Sequence, residues 1–381
     1  MWCTVAPACR PDLNKPWAIA MWDFSWLERR WPGAGYEDWD RILGELVERG
    51  YDAVRIDPYP HLLAAAPDRA WTLLPCWNQQ DWGSPALTRV AVREPLLEFL
   101  RGCRSRGVRV ALSSWFRQDK DDVRMQIRTP QDHAVIWVET LRILEQGGLL
   151  DDNLFYVDLC NEFPLREWAP FLPSGADGNV LRRASAPGTA WMREAIAAVR
   201  DRYPGLALCF SITSEYDTLL QQDVSFMDLL EPHLWMTHFS DFYGRVGYRY
   251  ERFATTGYEN LVANGERIYR GDPEHWSRSL QEGIRRIAAW SEHVGKPLVT
   301  TECWGVVDYK DWPLLDWGWV RELCEVGVDT ALSTRRWMAM ATSNFCGPQF
   351  VGMWRDIAWH RRLTDRIHRG HAPMEAAEQG A

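Results

Sequence analysis

The chain has 381 residues, 46% of them apolar and 25% charged, and a formal net charge of −9. That length admits one large α/β barrel or two smaller domains, and the acidic balance, with no Lys/Arg run longer than two, argues against nucleic acid or other polyanions as partners. No stretch approaches the roughly 18 apolar residues of a membrane span, and no basic segment followed by an apolar one opens the chain, so a cytoplasmic protein with no membrane partner is expected.

In chain order, Trp17 to Trp22 reads as a first strand. Trp39, Ile42, Leu43, Leu46 and Val47 recur at helical spacing before Gly50, and Ala53 to Asp57 forms strand two. A long segment from Pro58 to Arg93 leads to a helix over 94–106 and strand three over 108–113. Thr129-Pro130-Gln131-Asp132 is a cap followed by Pro in the first turn, and it opens a helix that Gly147-Gly148 closes. Strand four, Asn153 to Glu162, ends in Asn161-Glu162 before Phe163-Pro164, because Pro cannot donate to a ladder.

After a loop and a helix ending near Tyr203, strand five covers 206–212. A short helix around 223–230 precedes strand six, Leu234 to His238. A loop of some 30 residues, long by ordinary loop lengths, reaches a second cap-plus-Pro start at Asp272-Pro273. Strand seven then ends at Glu302, helix seven covers 317–333, strand eight 337–343, and Trp359, Leu363 and Ile367 mark a closing helix. Gly precedes strands two, three, four, five and seven, as expected where a helix turns into a strand. Eight strand–helix units, with long loops after strands two, three, four and six and short ones before strands, predict a (β/α)₈ barrel. The expectation is one domain over 1–381 with its core at about 17–369.

Such a barrel puts Glu162 and Glu302, the ends of strands four and seven, on the same face. Cleaving a glycosidic bond requires one carboxyl that protonates the leaving oxygen and a second that stays ionised beside the anomeric carbon. Opposed tips of one narrow barrel suit the short separation, about 5–5.5 Å, of a retaining enzyme. The nine cysteines, without paired short spacings, read as buried thiols rather than disulfides or zinc ligands. No metal or cofactor is expected.

The Asn161-Glu162 tip, Glu302 and the strand-two segment Val54-Arg55-Ile56 together resemble the retaining glycoside hydrolases with (β/α)₈ barrels, especially the cellulase-type family 5 and its relatives. The resemblance implies Glu162 as acid/base, Glu302 as nucleophile and Asn161 as a donor to the sugar 2-hydroxyl. It also implies His238 as the strand-six histidine and Tyr243 as its neighbouring tyrosine. The family's His after strand three is absent, with Ser113-Ser114-Trp115 in its place, and Asn344, Gln349 and Trp354 compete for the strand-eight tryptophan position.

Physically, Arg55 would keep Glu302 ionised, or else close an internal ion pair with Asp57 or Asp158. His238 has the alternative of a satisfied core histidine. Apolar walls such as Phe163 and Trp115 would hold Glu162 protonated. Twenty-three tryptophans are many, and flat aromatic faces stack on sugars as well as pack cores. Trp77, Trp82, Trp115, Trp304 and Tyr243 are candidate sugar contacts, as is Asn344. Several long loops favour a walled pocket, hence an exo-acting hydrolase of short oligosaccharides or glycosides. The alternatives are an endo-acting glucanase and a catalytically silent carbohydrate-binding barrel.

Overall fold

In the computed structural model the described residues are 12–76, 84–150, 152–173, 181–249, 254–309 and 315–370. Trp77 and Trp82, two of the expected sugar contacts, lie outside them. The barrel strands are β1 (Trp17–Asp23), β2 (Ala53–Ile56), β3 (Arg109–Ser113), β4 (Leu154–Asp158), β5 (Leu208–Cys209), β6 (Leu234–Trp235), β7 (Leu298–Thr300) and β8 (Trp337–Met340).

Every one of their pairings is parallel, and one curled sheet runs β5-β4-β3-β2-β1-β8-β7. The gap between β5 and β7 is filled by residues 230–235. Pro232 bridges to Ile212, Leu230 to Leu298, and β6 pairs with Cys303–Trp304 just beyond β7. The fold is therefore a TIM-type α/β barrel, with helices such as Trp39–Glu48, Pro130–Gln146 and Pro273–Val294 outside it.

The expected helix starts are built as their chemistry requires. The Thr129 hydroxyl accepts from the Asp132 N–H while the Asp132 side chain accepts in return, and Asp272 caps the helix from Pro273 through the His275 N–H. Gly50 turns into β2 at φ 82°, and a Cβ there would meet Thr364 Oγ1 at 2.5 Å, so glycine is required twice over.

Several expectations change, among them strands five and eight, which are shorter than expected at Leu208–Cys209 and Trp337–Met340. Strand four ends at Asp158 and strand seven at Thr300, so both glutamates stand past their strands, on the turns that follow. The segment after β2 folds into a helix, Pro60–Ala65, and an antiparallel hairpin, Ala70–Leu73 with Thr88–Ala91. The long loop after β6 contains helices Phe242–Val246 and Thr256–Gly271. Gly257 and Gly265 weaken a helical pattern there, but a Cβ at Gly265 would press the Trp319 ring at 3.1 Å, so close packing outweighs propensity. Finally, residues 223–230 are not helical, and strand six starts at Leu234 as expected but ends at Trp235, with isolated bridges at Leu230 and Pro232 ahead of it and a 3₁₀ turn, Met236–His238, behind.

Inside the barrel, Ile19, Ala53, Ala111, Tyr156, Cys209, Leu229, Val299 and Ala339 form one closed apolar cluster, distinct from the larger core between strands and helices. Residues two further along each strand lie one layer higher. There the interior turns polar, with Arg55, Ser113, Asp158, Glu231 and Thr301, all fully buried. The seven described cysteines are buried and free, and no described helix is long and apolar enough to cross a membrane.

Candidate active site

The polar layer is organised by the Arg55 guanidinium. Nη1 donates to Glu302 Oε1 at 3.0 Å and Thr301 Oγ1 at 3.2 Å; Nη2 donates to Asp158 Oδ2 at 2.7 Å, Asn161 Oδ1 at 2.7 Å and Ser113 Oγ at 2.8 Å. Nε lies 3.2 Å from Glu231 Oε1, close enough for charge attraction but without hydrogen-bond alignment. Its flat face covers the Trp115 ring at 4.7 Å. Arg55 contacts Glu302 and closes an internal pair with Asp158, but it does not keep Glu302 ionised as expected, because burial outweighs it and pushes that carboxyl up to about 7. Asp57 is not its partner; that carboxyl accepts the backbone N–H groups of Tyr59 and Trp115.

Above this hub, Glu162, His233 and Glu302 bring oxygen and nitrogen atoms within 4.8 Å of one another. His233 Nδ1 stands 3.0 Å from Glu162 Oε1 and 3.6 Å from Glu302 Oε1. Glu162 Oε2 also accepts the Trp168 indole N–H at 2.8 Å. Glu162 sits at φ 51°, a left-handed conformation that a branched chain of contacts must enforce, and its N–H donates to Ser211 Oγ at 2.7 Å. The three side chains offer a set that a divalent cation could bridge, although Arg55 already occupies Glu302 Oε1.

The electrostatics follow from crowding several acids around one arginine. Burial, reinforced by the Glu162 charge and opposed by His233 and Arg55, pushes Glu302 up to about 7. Burial would raise Glu162 too, but the hydrogen bond and charge of His233, with the Trp168 and Thr213 bonds, hold it below the usual carboxylate range. Burial works against charge on His233, yet Glu302 and Glu162 outweigh it and raise its affinity for a proton. Burial likewise raises Glu231. Two carboxylates this close cannot both ionise cheaply, so the pair shares a proton that titrates near neutrality.

A cavity of about 280 Å³ opens over the pair. Its walls include Asn161, Glu162, Glu302, Trp115 and His238, as expected, together with Asp23, Thr213, Trp168, Trp235 and Asp308. His238 is on the wall, where burial lowers it to about 4, but the histidine between the carboxylates is His233. The remaining candidates among the described residues stand off the cavity wall. The Tyr243 hydroxyl accepts from the backbone N–H groups of Val307 and Asp308, so it braces a loop rather than facing the cavity. Asn344 donates to the Val307 carbonyl at 2.9 Å for the same purpose. Trp304 turns outward, donating to the Ala341 carbonyl and packing on Gly327, and it is fully buried. Gln349 pairs with the Tyr36 hydroxyl and Trp354 with Glu45, both off the cavity wall.

A signal for the missed residues exists. Leu229, Glu231, His233 and Trp235 alternate as an inward strand face does. Pro232 hides it, but this strand accepts Pro because its neighbours supply the bonds on either side: Ile212 N–H donates to the Glu231 carbonyl, and His233 N–H to the Ile212 carbonyl.

A family model described as cellulase-like and sugar-binding matches residues 19–368. The chain belongs to this cellulase-like family. Carbohydrate is accordingly the ligand class that membership implies. A solved structure titled "putative glycoside hydrolase" from Parabacteroides distasonis ATCC 8503 is 48% identical over 96% of this chain and 97% of that one, with a TM-score of 0.91. At 10% identity, the endo-β-1,4-mannanase from Thermotoga petrophila aligns over 96% of this cellulase-like chain and 80% of its own, with a TM-score of 0.52. That likeness is one of fold alone. No curated protein matches significantly.

Proposed function

We propose that this cellulase-like protein is a retaining O-glycoside hydrolase that removes sugars from short oligosaccharides or glycosides. The observation that carries the reading is a pair of glutamates from separate barrel strands with oxygens within 4.8 Å across one cavity, one of them braced by Arg55. One oxygen of each glutamate thus lies closer to the other than the roughly 6.5–9.5 Å between the carboxyls of inverting enzymes, which supports the retaining reading. The cavity lies at the small end of the about 300–1,000 Å³ usual for ligand sites, which favours one or two sugar rings over a long chain.

In this mechanism Glu302 attacks the anomeric carbon while Glu162 protonates the departing oxygen. Glu162 then takes a proton from water, which displaces Glu302 and restores the starting configuration. Asn161, fixed by Arg55, positions the ring. In the ligand-free pair the proton resides on the Glu302 side, so the productive form requires it on Glu162. His233 Nδ1, within 3.6 Å of both carboxyls, offers a route for that transfer. The resting charges favour the reverse assignment, with Glu162 as nucleophile, and that second reading predicts the same net stereochemistry.

The test is hydrolysis of a panel of aryl glycosides with the first-formed anomer followed by NMR. Release of the substrate's own anomer supports the reading. Release of the opposite anomer, or no turnover of any glycoside, refutes it.

A further inference from the structure

The cavity holds more carboxyls than hydrolysis needs. Asp23, at the end of β1, and Asp308, in the loop after β7, line it alongside Glu162, Glu167 and Glu302. Each extra carboxyl is fixed through one oxygen: Asp23 Oδ1 accepts from the Ser25 N–H, and Asp308 Oδ2 from the Tyr248 hydroxyl. Each is coupled to the glutamate pair by charge, Asp23 to Glu302 and Asp308 to Glu162. Burial, first of all, lifts Asp23 to about 7 and Asp308 to about 6.

Among the described lining residues none is Lys or Arg. Arg55 is occupied below by Glu302, Asp158, Asn161, Ser113 and Thr301, and Arg29, whose charge reaches Asp23, is not on the wall. A second observation is independent of these acids. The indole nitrogen of Trp235, on a wall residue only 2% exposed, has no hydrogen-bond partner in the protein. A buried donor left unmet is costly unless a ligand takes it up.

We propose, building on the hydrolase reading above, that Asp23, Asp308 and Trp235 select the substrate as a neutral sugar. Two carboxyls and one N–H bond its hydroxyls, and a uronate, sulfated or phosphorylated sugar is excluded. Hydroxyls can donate to either carboxyl and accept from the indole, so a neutral ring satisfies all three. A sugar carrying its own anion adds a further negative group to a cavity already crowded with acids, with no Lys or Arg among the described lining residues to meet it. Sites that hydrogen-bond a substrate hydroxyl discriminate strongly, up to about 10⁴–10⁵-fold, against analogues lacking it.

The experiment compares kcat/KM for aryl glycosides of neutral hexoses, their deoxy analogues and the matching glucuronide. The wild-type protein is set beside Asp23→Asn, Asp308→Asn and Trp235→Phe. The expected result is a neutral sugar preferred over its uronate by at least about 100-fold. Each variant should narrow the gap between one hydroxyl and its deoxy counterpart by at least about tenfold. A glucuronide that is turned over as well as the neutral sugar overturns the proposal, as do variants that slow every sugar by the same factor. If no glycoside is turned over, the hydrolase reading fails separately. Calorimetry with free glucose and glucuronic acid then still decides selectivity: binding of the neutral sugar alone upholds it, and equal binding or preference for the acid rejects it.

Discussion

The two ends of the barrel interior are built by opposite rules. At the bottom, Ile19, Ala53, Ala111, Cys209, Val299 and Ala339 pack small against large with no charge among them. Higher up, Arg55 and Asp158 on β2 and β4 and Glu231 and Glu302 just outside β6 and β7 crowd one buried cation against three buried acids. Backbone strain is concentrated at the mouth, where Asp23 at the end of β1 and Tyr59, Phe116 and Glu162 just beyond β2, β3 and β4 adopt positive φ, although Arg335 does so too where a helix turns into β8. The apolar end supplies stability, and the mouth holds charges and conformations that only a rigid floor can enforce.

The largest effect should come from breaking the hub. Arg55→Met leaves Asp158 and Glu231 buried without their cation, and unfolding by denaturant should show a loss of about 3–5 kcal/mol together with lost activity. A comparable but purely structural loss is expected at the bottom. Ile19→Ala should cost about 2–5 kcal/mol while kcat at 25 °C is unchanged, because the cavity it creates lies below the polar layer. A kcat that falls with Ile19→Ala would show that the two ends are not separable.

The pH dependence sharpens the contrast. Glu302, raised from 4.5 to about 7, holds its proton more tightly folded than unfolded, so its contribution to stability is present below 4.5 and is lost as pH rises through 7. The shared proton leaves in the same range, and kcat/KM should decline on an alkaline limb with an apparent pKa near 7. The smallest effect is expected from Trp168→Phe. It removes one donor that keeps Glu162 ionised, so the acid limb of kcat/KM should move to higher pH while that near 7 moves less.

The same division explains what was legible in the sequence. The barrel floor and helix starts follow local rules, and the periodicities around Ala53, Ala111, Thr129 and Asp272 announce them. Glu162, Glu302, Arg55 and Asn161 were legible because they stand in or just past β-rich runs. His233 and Glu231 were hidden by Pro232, whose missing N–H masks a strand that obtains its bonds from neighbours. Asp308 and Trp168 reach the cavity only because loops distant in sequence converge there, and Asp23 joins them from the end of β1. Tyr243 and Trp304 carry the right chemistry for sugar contact, but their polar atoms are spent on Val307, Asp308 and Ala341, while Asn344 spends its amide N–H on Val307 and stands off the cavity wall.

The division of labour between the two glutamates is tested most directly by azide rescue of Glu302→Ala and Glu162→Ala on an activated aryl glycoside. With Glu302 as nucleophile, its alanine variant should yield a glycosyl azide of inverted configuration, since azide enters the vacated face, and the Glu162 variant one of retained configuration. The opposite pair of products would exchange the two roles, and wild-type turnover by Glu302→Ala without azide would contradict the account altogether.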